Sequence, residues 1–340
     1  MSDSTIVVKE ASTWGTAVTP DRTFCLLGSG ESLDYMPEIV TSGAHCWGKR
    51  GQSAAGEVVI RRAGGGNIPL EVSTAGFGFW WKMCLGSSTS TQIGATTVYQ
   101  QVHKLASQSQ PFFTVQKLVQ SYNPVTGAFT TEPFTFGAMM VSSWSLDIPE
   151  SGIAKLTVTT TGRDVVTATA AVVPAARSTA DHLLHSGGAS LSTGAYVAPG
   201  ATTLATAATP IAGVRSLSIS VDNNLVTIPG WGSAVARPIP GAAPTVTGTL
   251  NVDFVTGGPF VNAFLNRTDL TLLATLAAIE NSDELVQIAI PSLRVSGEVP
   301  KAGAPTEMQQ LSVPFTAMRS ASAPSDDLIV VVNRTYDTTI

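Results

Sequence analysis

Trp144, Leu146 and Ile148 alternate with polar neighbours, Glu150-Ser151-Gly152 follows, and Leu156, Val158 and Thr160 alternate back. Two runs of period two around a tight turn fit an antiparallel hairpin, because a helix would scatter the same residues around its surface. A second segment has the same form. Leu293, Val295, Gly297 and Val299 run out, Lys301 to Pro305 turn, and Leu311, Val313, Phe315 and Ala317 return. Both return runs end near an arginine, Arg163 and Arg319. Leu270 to Ile279 reads as another strand, given its threonines and the turn-like Glu280-Asn281-Ser282-Asp283. Asp326-Asp327 followed by Leu328 to Val332 reads as the last. Helix is confined to Ala75–Leu85 and Pro259–Leu265, the second with proline where a first turn tolerates it. The chain is predicted to be mainly β.

The likeness of the two hairpins extends to an internal repeat. Ser32-Leu33 recurs as Ser216-Leu217 and Trp47-Gly48 as Trp231-Gly232, each 184 residues on. Leu70-Glu71-Val72 recurs as Leu250-Asn251-Val252, and Gly78, Trp80 and Leu85 as Gly258, Phe260 and Leu265, each 180 residues on. Arg163 and Arg319 are 156 apart, so the first copy carries roughly 25 extra residues, supplied by the Gly/Ser/Thr-rich stretch from Gly86 to about Ser109. The reading is an N-terminal arm (1–23), a first β unit (24–170), a connector (171–209) and a second β unit (210–340). The connector is rich in Ala, Ser, Thr, Gly and Pro, with a short strand expected near Ala189 to Ser192.

Composition narrows the function. Of 340 residues 44% are hydrophobic, ample for a core and too many for a disordered chain. Only 13% are charged, against ~25% in an average domain, which fits a surface that ends in contact with other subunits. A formal charge of −5 argues against a sequence-reading nucleic-acid binder. No apolar run approaches ~18 residues, so no membrane span is expected. The opening MSDSTIVVKE lacks the basic and apolar regions of a secretory signal. Cys25, Cys46 and Cys84 are too few and too scattered for a disulfide framework.

No motif reaches catalysis. Leu27-Gly28-Ser29-Gly30-Glu31 lacks both the Gly-Lys-Ser/Thr end of a phosphate loop and the G-x-S-x-G spacing of a nucleophile elbow. Gly64-Gly65-Gly66 precedes a strand rather than a helix, which argues against a dinucleotide site. His182 and His185 could present two imidazoles on one helical face, but no cysteine is near and His45 and His103 are remote. Asn266-Arg267-Thr268 and Asn333-Arg334-Thr335 match a glycosylation sequon that has no meaning without secretion. Phe77, Phe79, Trp80 and Trp81 read as the apolar face closing a β core. No catalytic, cofactor or metal residue is assigned.

The order of segments resembles the major tail tube proteins of long-tailed bacteriophages with non-contractile tails, the actinobacteriophage type in particular. The pieces that carry the resemblance are Glu10-Ala11-Ser12-Thr13-Trp14-Gly15-Thr16-Ala17-Val18-Thr19-Pro20, the Gly76–Gly86 segment GFGFWWKMCLG, and the hairpin from Val141 to Arg163. Val246 to Phe254 (VTGTLNVDF) and Ser312 to Ala317 (SVPFTA) complete the set. In Arg61 to Asn67, glycines and two arginines interrupt the strand the family pattern would run cleanly to Leu70.

The resemblance implies a tandem β-sandwich or half-barrel unit, each with one flanking helix, and a structural virion protein rather than an enzyme. It also implies self-assembly into stacked rings around a DNA-sized channel, with two units per chain giving three chains per pseudo-sixfold ring. The implied partners are other copies of the chain, the tape measure, tail terminator and distal tail or baseplate proteins, and phage DNA passing through the lumen, which 19 basic against 24 acidic residues predict to be neutral to acidic. Its place is then the virion tail, after synthesis in the host cytoplasm. Trp47 and Trp231, in the excursions Pro37–Gly56 and Val221–Pro244, are the candidate ring-stacking anchors. The rival class is a β-sandwich virion surface protein or carbohydrate-binding adhesin.

Overall fold

The alternating segments pair into antiparallel sheets in the computed structural model, which describes residues 5–24, 30–43, 56–106, 110–167, 169–172, 181–228, 231–235, 237–254, 259–297, 309–319, 327–338 and 340. The first half holds β1 (Thr5–Ala11), β2 (Arg22–Phe24), β3 (Asp34–Thr41), β4 (Glu57–Glu71), α1 (Phe77–Leu85), β5 (Gly86–Gln92), β6 (Tyr99–Leu105), β7 (Phe112–Tyr122), β8 (Phe129–Ile148), β9 (Lys155–Gly162) and β10 (Val165–Val166). The second half holds β11 (Ala189–Val197), β12 (Thr206–Pro210), β13 (Val214–Asp222), β14 (Leu225–Ile228), β15 (Arg237–Pro240), β16 (Thr245–Asp253), α2 (Pro259–Asn266), β17 (Leu270–Ala277), β18 (Leu285–Val295), β19 (Gln310–Ala317) and β20 (Val330–Thr335).

Four strands of the first half lie in the order β3-β4-β9-β8. Four of the second lie in the corresponding order β13-β16-β19-β18. β8 then pairs with β13, from Ile148 opposite Leu217 to Ser143 opposite Asp222, and the two sets join as one sheet of eight strands. Among the described residues β3 is paired on one side only, by β4.

β8 and β18 are long because each runs on into a second layer. The earlier part of β8 pairs with β7, and β7 with β1. The earlier part of β18 pairs with β17, and β17 with β11. On its other side β18 takes β20, then β6 and β5. Of the 86–109 stretch, residues 86–105 are thus a hairpin that ties the first half to the last strand, and 107–109 lie outside the described residues. The 171–209 stretch supplies β11 and most of β12, a longer ordered piece than its composition suggests.

The main core fills the space between the layers. α1 buries every residue except Lys82, including Trp80 and Trp81. Phe79, Trp80 and Phe113 meet edge to face, and Trp81 packs on Trp144 at 5.9 Å between ring centroids. Such pairs add ~0.5–1.5 kcal/mol each beyond the area they bury. Gly76 and Gly86 bound the helix in the left-handed region, at φ 73° and 92°. Two distant carboxylates meet backbone N–H groups at its start: Asp181 Oδ1 accepts from Ala75 and Asp337 Oδ2 from Gly76, both at 3.1 Å.

β4 runs unbroken through Gly64-Gly65-Gly66, contrary to the interruption read from the sequence. The glycines are there for room. A Cβ on Gly65 would sit 2.7 Å from the Thr160 carbonyl oxygen, and one on Gly64 would meet the Phe136 ring at 2.9 Å.

His103 on β6 is fully buried, and neither ring nitrogen has a hydrogen-bond partner among the described residues. Burial first, and the Lys82 charge second, push its pKa down from 6.5 to about 3. The folded chain therefore keeps this ring neutral where the unfolded chain takes up a proton. The associated stability is present above pH ~6.5 and is lost at ~1.4 kcal/mol per pH unit as pH falls toward 3. Denaturant unfolding at pH 7 and pH 5 should show a drop ~2 kcal/mol larger for the native chain than for His103→Leu. Equal drops would exclude His103 as its source.

Candidate functional surfaces

The eight-stranded sheet has one face in the core and one bare, because alternate residues point to opposite sides. Leu146, Ile148, Leu156, Val158, Leu217, Ile219, Leu250 and Val313 are buried. Their neighbours align in rows across the strands on the other face. One row reads Pro69, Thr157, Ser145, Ser220, Thr247, Thr316. Toward one end lies Glu71, Lys155, Asp147, Ser218, Thr249, Pro314, and toward the other Asn67, Thr159, Ser143, Asp222, Thr245.

Charge on this face is sparse, and the central row ends at Arg294 of β18, opposite Thr316, whose exposed guanidinium pairs with Asp269 at 3.0 Å. Lys155 lies between Glu71 and Asp147 in its row. Arg215, at the sheet's end, donates to Asp253 Oδ1 and Glu150 Oε1, each at 2.6 Å. Those two carboxylates raise the guanidinium pKa, with Asp253 the stronger cause. A cavity of about 250 Å³ opens beside it between Ile148, Leu191, Leu217 and Leu276. Its one cation already has two anionic partners, so the cavity offers no site to an anion.

Two ribbons project beyond the sheet. β3 with the first part of β4 exposes Met36, Ile39, Val40, Val58 and Ile60, and β14 with β15 exposes Val226 and Ile228. Trp231 stands in the turn of the second ribbon, fully exposed. Trp47 falls in the first ribbon's excursion, outside the described residues. The base of the second ribbon rests on the first half: Arg62 N–H donates to the Ala234 carbonyl at 2.7 Å, and the Arg237 guanidinium lies 5.1 Å above the Trp14 ring.

The remaining sequence candidates separate. His182 and His185 lie on an extended segment in which Leu183 bridges to Ser73 and His185 to Ile153, so they share no helical face. His182 Nδ1 is 2.5 Å from Glu284 Oε2, whereas His185 Nδ1 accepts from Gly187 N–H. Among the described residues no group of three or more His, Cys, Asp or Glu side chains is placed to hold a metal ion. Leu27 to Ser29 lie outside the described residues, as do Cys25, His45 and Cys46. Cys84 is a buried free thiol whose pKa burial raises. No helix among the described residues is long and apolar enough to cross a membrane. Sequence reading missed the rows of hydroxyls; their signal was the Ser/Thr content of the polar positions in each alternating run.

Comparison with curated proteins finds no match. The model of one family, described as phage tail tube protein, matches residues 1–317. That span contains the whole eight-stranded sheet, both helices and both ribbons. The chain belongs to the phage tail tube protein family, and its function is structural.

Proposed function

We propose that the chain builds the tube of a long, non-contractile phage tail of the actinobacteriophage type, as stacked rings of three chains with pseudo-sixfold symmetry. Each chain contributes two copies of one unit, residues 24–170 and 210–340. The arm 1–23 and the 171–209 stretch play equivalent parts, since β1 flanks β7 as β11 flanks β17. The observation that carries this reading is the β8–β13 seam, where the edge of one unit continues into the next through six paired residues on each strand. The free edge of β3 offers a neighbouring chain the same kind of continuation. Closing the ring removes the open edges that would otherwise invite disordered pairing.

Four sheet strands per unit give roughly twenty-four per ring, and at ~4.8 Å spacing these close a cylinder of backbone diameter about 37 Å, wider as the strands tilt. Rings stack through the two ribbons, with Trp47 and Trp231 as anchors. The tape measure protein fills the tube before DNA delivery, the tail terminator and the distal tail or baseplate proteins close its ends, and the DNA passes without tight binding. The chain is made in the host cytoplasm, works without a cofactor and performs no catalysis.

Electron microscopy of the purified chain tests the assembly. Tubes whose symmetry analysis counts three chains per ring are expected. Six chains per ring would overturn the duplication argument, and discrete globular particles would overturn the tube.

A further inference from the structure

We propose that Trp231, at the turn of the second ribbon, seats in the cavity beside Arg215 of a second copy of the chain in the next ring. This rests on the tube reading above and names the receptor for one of its anchors. The two parts lie at opposite ends of one strand. β13 begins at the cavity, which Val214 and Arg215 line, and ends at Asp222, where β14 leads into the ribbon. At ~3.3 Å per residue its length is roughly 26 Å. A knob at one end and its receptor at the other make a head-to-tail contact, which propagates along an axis instead of closing on a pair. The Ala234 carbonyl accepts from Arg62 of β4, and β9 and β8 stand between β4 and β13. The ribbon therefore leans about 14 Å to one side, at ~4.8 Å per strand. A turn of each ring on the last takes up that offset.

Size and chemistry agree with an indole. The cavity holds about 250 Å³. A cavity of ~150 Å³ accepts benzene, and indole has half as many heavy atoms again, so it needs roughly 225 Å³. Buried Ile148, Leu191, Leu217 and Leu276 supply apolar walls. The Arg215 guanidinium, held by Asp253 and Glu150, offers a cation to the face of an aromatic ring. Glu150, its side chain 63% exposed, offers the indole N–H an acceptor. The two acids that deny the cavity to an anion leave it open to a neutral ring. Trp231 is the most exposed large apolar side chain among the described residues, and tryptophan in a desolvated pocket is the strongest kind of interface anchor.

The test blocks the cavity and leaves the knob alone. Ala189 lines the cavity, is exposed, and lies on the same face of β11 as Leu191, so Ala189→Phe fills the space the indole would take. Sedimentation of the full chain reads tube growth, with thermal melting as the folding control. Ala189→Phe should raise the chain concentration needed for tubes at least about thirty-fold, as loss of one aromatic anchor does. Ala208→Phe, exposed on β12 and outside the cavity, should leave that concentration unchanged. Added to Trp231→Ala, Ala189→Phe should cost nothing further, because both changes remove the same contact.

A folded Ala189→Phe chain that forms tubes at the native concentration would overturn the assignment, and so would losses that multiply in the double variant. If Ala189→Phe does not fold, p-benzoylphenylalanine at position 231 decides the point in assembled tubes. Photo-crosslinks to residues 148–150 or 211–217 of another chain support the cavity, and crosslinks confined elsewhere refute it. Normal tubes from Trp231→Ala would instead remove the ribbon from stacking, and failure of the native chain to form tubes would remove the tube reading itself.

Discussion

Replacing Trp144 by alanine should destabilise the chain by ~3–5 kcal/mol, a large share of the ~5–15 kcal/mol that holds a typical protein folded. Trp144 is buried on β8 opposite Val158 of β9 and Val221 of β13, so its ring sits under the seam between the halves. It also meets Trp81 of α1 edge to face. Alanine would leave a cavity against the helix and the seam together. Trp144→Phe should be far milder. It keeps an aromatic ring against Trp81, and it removes an indole N–H that has no hydrogen-bond partner among the described residues. Urea unfolding of the two variants checks the pair. A phenylalanine variant as unstable as the alanine one would mean that the loss is not one of packing.

Trp231→Ala should leave folding intact and stop tube growth. The side chain is fully exposed in the second ribbon, so its loss removes no contact inside the chain, and surface changes of this kind stay within ~0.5 kcal/mol. An aromatic anchor buried at an interface is worth ~2 kcal/mol or more. That is about thirty-fold in association per contact, and three such contacts per ring multiply to roughly ten-thousand-fold. Sedimentation of assembled material, with thermal melting as the folding control, measures both parts. Tubes of normal length from a normally folded variant would remove Trp231 from the stacking interface.

What could be read from the sequence depended on whether a strand's buried face differs in hydropathy from its bare face. β8 and β9 declare themselves because Trp144, Leu146, Leu156 and Val158 stand against Ser, Thr and Asp. α1 and α2 stood out as apolar blocks, and both lie where expected. β5 reads Gly-Ser-Ser-Thr-Ser-Thr-Gln and has no contrast to offer; its place is set by backbone pairing with β6. β11 is similar, since it buries only Leu191 and Thr193 and is fixed by β17.

The glycines of β4 looked like a break because the room they leave is taken by Thr160 and Phe136, which local composition cannot reveal. The hydroxyl face was visible one strand at a time. That Thr157 and Thr316 share a row follows only from four successive pairings, of which only the first is a local hairpin.

The position of β20 between β18 and β6 has a bearing on timing. Asn333 donates to Gln101 Oε1 within that ladder, across 232 residues of sequence. At ~5–20 residues per second, β6 leaves the ribosome roughly 10–50 s before its partner strand exists. Throughout that interval one edge of β6 stays open, and the two halves lack their second tie. A nascent chain is thus a poor building block, however early its first half acquires structure. The two halves acquire that tie only when the last strand, residues 330–335, has been made.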